Sequence, residues 1–126
     1  MTEKEGGMIF EIEDIRTMHK ALEELSAFLL DCGFSEDRIF DGKLIACELL
    51  GNVLRHSQGK ATLYGERKDN FVELKVFSSI PFMPPEKSKL ADTLSEHGRG
   101  IFLVDALSDG RATSKDGAIL IKLEIR

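Results

Sequence analysis

Three polar residues recur at helical spacing within an apolar part of the sequence. Glu48 lies in the segment 45–50, and Asn52 and Arg55 follow it four and seven positions later. At ~100° per residue, these side chains and Asp41 fall within roughly 60° of one another on a helix. If this stripe lines a pocket, Glu48 is suited to take a proton from a hydroxyl group or water, and Asn52 to hold a metal ion through its amide oxygen. The spacing also fits the solvated face of an amphipathic helix, so both interpretations stay open.

The two histidines near these motifs carry less weight. His56 falls one further turn along the same helix, where an exposed imidazole suits the helix dipole without any catalytic role. His97 has no His, Cys or Asp partner at metal-ligand spacing, so no ligand role is predicted for it. The sequence leaves the function of both side chains open.

A second candidate feature is a pair of glycines flanking an arginine, Gly98-Arg99-Gly100. Glycine has no Cβ, so backbone N–H groups there can approach an anion closely, and a following helix would direct its N-terminus at a phosphate. Arg99 could reach that phosphate or remain in water. The segment matches neither G-x-x-x-x-G-K-[ST] nor a G-x-G-x-x-G after a strand, so an ordinary loop-to-helix turn also stays open.

These candidate residues must be positioned by a small set of elements, which begin with a strand and a helix. Alternating apolar residues predict a half-buried strand over 8–13. Asp14 is a predicted N-cap and Gly33 a predicted C-terminal stop, so a helix joins them. The part of its apolar stripe from Met18 to Leu25 either faces the core, the commoner role, or forms a dimer surface. The whole stripe consists of Ile15, Met18, Leu22, Leu25 and Leu29.

The rest of the chain predicts alternating helices and hairpins. The further elements are a helix from Ser35 to about His56, strands over 61–66 and 71–77, a proline-containing loop over 78–97, a helix over 101–107, and a hairpin over 111–114 and 118–125. This order is typical of the α+β class. It predicts a two-layer α/β sandwich with helices on one face of a mixed, mostly antiparallel sheet.

Composition excludes several functional classes. The 126 residues include 17 Lys+Arg and 22 Asp+Glu, and the net charge of −5 argues against a nucleic-acid surface. Both cysteines fall in predicted helices, so reduced thiols in the cytoplasm are expected rather than a disulfide framework. No apolar run approaches the ~18 residues of a membrane span. One cytoplasmic domain is therefore predicted over 8–126, after a flexible lead over 1–7 that lacks the apolar core of a signal peptide.

The order of these motifs resembles that of a known family. The pair Glu48 and Asn52, a hairpin, a proline-containing loop and the 98–104 segment follow one another as in the GHKL (Bergerat-fold) ATPases. The short loop is most similar to that of the small anti-sigma-factor serine kinases and related regulators of bacterial partner switching. The resemblance extends from the first predicted strand to the final hairpin.

This resemblance implies roles for individual residues. Glu48 matches the general base of the family, and Asn52 matches its magnesium-holding asparagine. Gly117 falls near the last, less distinctive glycine position. The implied nucleotide-binding segment, whose glycine backbone binds the ATP phosphates, is Gly98, Arg99, Gly100 and Ile101.

The chain departs from the family pattern at the adenine site. The family usually carries Asp-x-Gly after the third strand, whereas this sequence has Ser78 and Ile80 in those places. A hydroxyl lacks the charge that strengthens a hydrogen bond to the adenine amino group, and Ile80 adds a branched side chain where close approach is needed. Each change could cost about 1–3 kcal/mol, which together lowers adenosine affinity by roughly ten-fold to several thousand-fold.

Two functions of different class follow from the resemblance. In the first, the protein binds a sigma factor and/or its antagonist, forms a homodimer, and uses Mg²⁺ and ATP to phosphorylate a serine or threonine on the antagonist. In the second, it is a nucleotide-independent protein-binding module in the same kind of pathway. Glu48 favours the first because a pure binding module needs no base. Ser78 and Ile80 favour the second because a relaxed demand for adenine explains both.

Overall fold

A computed structural model describes residues 7–56, 60–78, 98–114 and 117–126 of the chain. The elements are β1 (Gly7–Ile12), α1 (Ile15–Cys32), α2 (Glu36–His56), β2 (Ala61–Arg67), β3 (Phe71–Ser78), α3 (Gly98–Leu107), β4 (Gly110–Thr113) and β5 (Ile119–Glu124). The strands form one five-stranded sheet in the order β1-β2-β3-β5-β4. The predicted α+β class is confirmed. Each strand pairing among the described residues is antiparallel, so the parallel pairing expected of a mixed sheet is not found there.

Helix α1 begins and ends where the sequence predicts. Asp14 accepts a hydrogen bond from the backbone N–H of Thr17 at 2.9 Å, and the Thr17 hydroxyl accepts one from the Asp14 N–H at 3.0 Å. These bonds form a reciprocal cap. The N–H and the hydroxyl of Thr17 both donate to the Asp14 carboxylate, which lowers its pKa below the ordinary value. Gly33 ends the helix with φ of 101°, a left-handed conformation that glycine adopts without strain.

The apolar stripe of α1 belongs to the hydrophobic core. Met18 is 6% exposed and Leu25 is fully buried, while Leu22 is half-buried and packs against the same cluster. This face therefore packs inward and is not a dimer surface. Ile15, at the first turn, is the exception because more than half of its side chain is exposed.

The sheet meets the helices through alternate residues of its strands. The buried positions of two of the three inner strands are Val72, Leu74 and Val76 of β3 and Ile119, Ile121 and Leu123 of β5. Helix α2 adds Ile45, Leu50 and Val53 to the same core. Side chains alternate across a strand, so one face of the sheet is covered by the helices.

Helix α3 begins earlier than predicted. Gly98, Arg99 and Gly100 form its first turn and do not precede it as a loop. The low helix propensity of glycine favoured the loop interpretation. Burial of Val104 and packing of Leu107 against the core outweigh that propensity.

Several predictions concern the ends of the described segments. Strand β1 begins one residue earlier than predicted, because Gly7 already pairs with Glu66 in the sheet. Gly117 has φ of 88°, as the final turn requires. Residues 1–6 and 57–59, the proline-containing loop from 79 to 97, and Lys115 and Asp116 lie outside the described residues. Within the described part of the chain, no helix combines the length and apolar character needed to cross a membrane.

Candidate functional site

Helix α2 places Glu48 at a pocket beside the beginning of α1. The carboxylate is half-buried, and the pocket has a volume of about 480 Å³. The lining residues are Glu13, Asp14, Ile15, Met18, Cys47, Glu48, Gly51, Leu54 and Arg55. The interpretation of Glu48 as a pocket residue, rather than part of a solvated stripe, is therefore the one that the structure supports. A carboxylate beside a cavity of this size can accept a proton from a hydroxyl group that enters it.

Asn52 lies one turn further along α2 and is almost completely buried, with 4% exposure. Its amide oxygen accepts a hydrogen bond from Nη2 of Arg55 at 2.5 Å. Arg55 itself is exposed and also lines the pocket. The predicted spacing thus does bring Glu48, Asn52 and Arg55 to one region, and it links two of them directly.

Asp41, the fourth member of the predicted stripe, has a different role. Its carboxylate pairs with Nη1 of Arg38 at 3.2 Å near the beginning of α2, and it does not line the pocket. Two helical turns separate it from Glu48. Asp41 and Glu48 therefore share one face of the helix, but the distance along the helix axis keeps them in different sites.

Cys47 is the nucleophilic side chain closest in sequence to Glu48. Burial raises the pKa of its thiol, the negative charge of Glu48 raises it further, and the positive charge of Arg55 opposes them. The thiol is therefore protonated at neutral pH. Since the thiolate is the reactive form, Cys47 is unsuited to nucleophilic catalysis. Cys32 is also a free thiol, with a pKa raised mainly by burial.

The donor set at Asn52 fits a magnesium ion that arrives with a nucleotide. Among the residues that the structure describes, no group of three or more His, Cys, Asp or Glu side chains could hold a metal ion. Mg²⁺ in phosphoryl-transfer sites is bound by only one or two protein ligands together with substrate phosphates. An amide oxygen such as that of Asn52 is a ligand type that suits such a single contact, and in the structure this oxygen is bonded to Arg55.

The glycine segment forms the N-terminal turn of α3. Because α3 begins at Gly98, the N–H groups of this turn lack partners within the helix, an arrangement that can bind an anion. The side chains of Arg99, Ile101 and His56 lie outside the described residues, so their predicted roles remain predictions.

Ser78 is the last residue of β3 and pairs with Ala61 of β2. It is half-buried. Ile80 and His97, by contrast, fall outside the part of the chain that the structure describes. For Ile80, the predicted loss of the adenine contact therefore depends on the sequence alone.

The structure contains a buried ionic cluster that the sequence did not predict. Arg38 is 6% exposed and contacts Asp109 at 2.6 Å and the carbonyl oxygen of Leu107 at 2.9 Å. The i, i+3 spacing of Arg38 and Asp41 could have indicated a local ion pair. The contact with Asp109 could not have been found this way, because the two residues are 71 positions apart.

Comparison with known protein families gives the class of this fold. The family model for a histidine kinase-like ATPase domain matches residues 12–121, which is more than half of the chain. The protein belongs to this family. The resemblance to the GHKL superfamily is confirmed, and the matched region includes Glu48, Asn52 and the first turn of α3. A search of curated proteins found no match.

Proposed function

We propose that this histidine kinase-like ATPase domain is a regulator of the bacterial partner-switching type. In this role it binds a sigma factor and/or the antagonist of that factor, and it transfers a phosphoryl group from ATP to a hydroxyl group of the antagonist. The observation that carries the proposal is the half-buried carboxylate of Glu48 at an open pocket, with the buried amide of Asn52 one turn away. Membership of the family supplies the nucleotide chemistry.

The pocket can accept a short side chain from another protein. Ile15, Met18 and Leu54 give it an apolar wall. Its charged lining is the carboxylates of Glu13, Asp14 and Glu48 and the guanidinium of Arg55. A serine or threonine hydroxyl inserted there meets the Glu48 carboxylate, which takes the proton as the oxygen forms its bond to the γ-phosphorus and the bond to ADP breaks. Arg55 can balance negative charge that accumulates on the phosphates.

Magnesium, when bound with the nucleotide, supplies neutralisation of phosphate charge. The amide oxygen of Asn52 is the described atom that would hold it, and Arg55 would release that oxygen when the ion binds. The first turn of α3 supplies backbone N–H groups for the phosphates.

A second candidate function is a nucleotide-independent binding module. Arg55 already satisfies the oxygen of Asn52, so this buried amide is stable without any metal ion. Ser78 and Ile80 also lack the features that hold adenine in the family. Both observations are expected of a domain that has kept the fold and the partner surface but not the nucleotide.

Thermal unfolding with and without millimolar Mg-ATP distinguishes the two functions. A ligand present at ~100 times its dissociation constant adds about 2.7 kcal/mol, which raises the midpoint by several degrees in a domain of this size. A midpoint that rises in the wild type and not in Asn52→Ala supports the kinase. We expect the rise to be small because of Ser78 and Ile80, and no rise at any attainable concentration supports the binding module.

A gain-of-function pair serves as the internal control. Ser78→Asp combined with Ile80→Gly restores the family pattern and should enlarge the Mg-ATP shift by strengthening the adenine contact. Glu48→Gln should leave the shift unchanged while abolishing ATP turnover, because it removes the base and keeps the shape. A double variant that binds no better than the wild type means that the adenine pocket has been assigned to the wrong residues.

A further inference from the structure

A buried guanidinium joins the two helices that carry the proposed site. Arg38 lies near the beginning of α2, about 15 Å along the helix axis from Glu48. Its Nη1 donates to the carbonyl oxygen of Leu107 at 2.9 Å, and its Nη2 donates to a carboxylate oxygen of Asp109 at 2.6 Å. Only 6% of the residue is exposed. This contact therefore excludes most solvent and has a defined geometry.

The contact fixes the C-terminal end of α3 in particular. Leu107 is the last residue of that helix, so its carbonyl has no partner within the helix and carries part of the negative end of the dipole. The guanidinium of Arg38 donates a hydrogen bond to this carbonyl and places a positive charge beside the negative end of the dipole. Arg38 of α2 thus caps the Leu107 carbonyl, while Ser108, which follows α3, donates its N–H to the carbonyl of Val104 at 2.9 Å.

Asp109 extends the contact to the sheet. The oxygen that Arg38 contacts also accepts a hydrogen bond from the backbone N–H of Glu124 at 2.8 Å. The other oxygen accepts one from Arg126 at 3.2 Å, and the Asp109 N–H donates to the carbonyl of Lys122 at 2.8 Å. One carboxylate therefore holds the end of α3 against both α2 and β5.

We infer that Arg38 is a positioning residue, which sets the spacing between the first turn of α3 and Asn52. This inference rests on the proposed function. Helix α3 packs on α2, and its last residue lies beside the beginning of α2. Its ten residues make a lever of about 14 Å, and a tilt of about 5° at Leu107 displaces the first turn by about 1 Å. Displacements of that size in a phosphate-binding turn are large enough to weaken binding strongly.

The unsatisfied Nε of Arg38 favours positioning over stabilisation. Among the buried side-chain atoms that the structure describes, this nitrogen has no hydrogen-bond partner. A buried ion pair with an unsatisfied donor is a poor source of net stability, since apolar side chains of similar volume often do as well. What an apolar side chain cannot do is hold two acceptors at fixed directions, as the planar guanidinium does here.

The test compares Arg38→Met with Arg111→Met in the full chain. Arg111 of β4 forms another charged contact of α3, a pair with Asp105 of that helix, and among the described residues it is bonded to none of α2. Affinity for Mg-ATP is measured by calorimetry at a temperature where urea titration gives more than about 99% native protein for each variant. We expect Arg38→Met to bind about ten-fold more weakly than the wild type, and Arg111→Met to stay within about two-fold.

A structural role alone would lower stability and leave the affinity of the folded protein unchanged. Residual dipolar couplings of backbone amides give a second readout, the angle between α2 and α3, which needs no nucleotide. We expect this angle to change in Arg38→Met and not in Arg111→Met. Arg38→Lys keeps the charge but not the two parallel donors of the guanidinium. It should therefore restore the Mg-ATP affinity and the wild-type angle only in part.

The outcomes separate the inference from the proposed function. Wild-type protein that binds no Mg-ATP overturns the proposed function. Wild-type protein that binds, with Arg38→Met binding equally well or keeping the wild-type angle, overturns the positioning role of Arg38. If Arg38→Met does not fold, Asp109→Asn removes the same charge pair while it keeps the shape of the side chain, and the same two readouts decide.

Discussion

The two ends of helix α2 use arginine in opposite ways. Near the beginning, Arg38 is buried and its partners, Leu107 and Asp109, come from another part of the chain. Near the end, Arg55 is exposed and its partner, Asn52, lies on the same helix. The first arrangement fixes how the elements meet. The second leaves a cation at a pocket, where a ligand can compete for it.

The physical difference is the dielectric environment of the two guanidinium groups. A charge removed from water is costly unless it is paired, so losing one partner of a buried pair leaves a large penalty. An exposed pair is screened by solvent, and it contributes little to stability. The comparison predicts that losing Arg38 costs more stability than losing Arg55, because only the loss of Arg38 removes the partner of a buried carboxylate.

The largest expected effect is the loss of Arg38. Arg38→Leu should lower the free energy of unfolding by about 3 kcal/mol, because Asp109 keeps Arg126 but loses its buried partner. Arg55→Leu should lower it by less, about 1–2 kcal/mol, because it leaves only the neutral amide oxygen of Asn52 without its donor. Urea titration of both variants measures the difference. Equal losses at the two positions would remove the distinction between the ends of α2.

Two glycines of α2 sharpen the comparison through packing. A Cβ at Gly42 would lie 2.8 Å from Cδ1 of Leu29 and 3.4 Å from Cδ1 of Leu123, whereas at Gly51 the nearest atom is Nη1 of Arg55 at 3.5 Å. Gly42→Ala should therefore destabilise by about 1 kcal/mol after the gain in helix propensity is included. Gly51→Ala should stabilise by about 0.5–1 kcal/mol. Thermal unfolding measures both, and the prediction is wrong if the two changes have the same sign.

Acid titration examines the buried cluster further. Burial alone would raise the pKa of Asp109, but the hydrogen bond from the Glu124 N–H and the charges of Arg38 and Arg126 lower it below the ordinary 3.8. The carboxylate therefore stabilises the fold above that ordinary value, and the contribution is lost as the pH falls through the lowered pKa. Asp109→Asn should be less stable than the wild type at pH 7, and its stability should fall less than that of the wild type on acidification.

The control for this titration is Asp105→Asn, which removes an exposed pair with Arg111. At pH 7 this change should shift the unfolding midpoint much less than Asp109→Asn does, because the pair of Asp105 and Arg111 is screened by solvent. Unfolding midpoints between pH 7 and pH 3 measure both variants. If the stability of Asp109→Asn depends on pH as that of the wild type does, the Asp109 carboxylate does not contribute to stability.

The smallest expected effect is at the pocket. Glu48 is the second cause, after burial, of the raised pKa of Cys47, so Glu48→Gln should lower that pKa and increase the thiolate fraction. Alkylation of Cys47 at pH 8 should become modestly faster, as followed by mass spectrometry of the modified peptide. The buried Cys32 in the same sample is the reference, and its rate should not change. An unchanged rate at Cys47 would mean that Glu48 does not act on this thiol.

Much of the fold could be predicted because its signals are local. The reciprocal cap of Asp14 and Thr17 and the left-handed Gly33 follow from residues within a few positions of one another. The spacing of Glu48 and Asn52 on α2 is of the same kind. Such features depend on backbone geometry over one or two turns, which the order of residue types specifies.

The sequence by itself therefore determined the elements, the α+β class and the candidate base and amide on one helix. Only the tertiary structure decided that Met18 faces the core, that α3 starts at Gly98, and that Arg38 is bonded to Asp109. Each of these depends on packing between segments far apart in the chain. Burial energy and the need to pair buried charges act on the folded neighbourhood, and no local spacing contains that information.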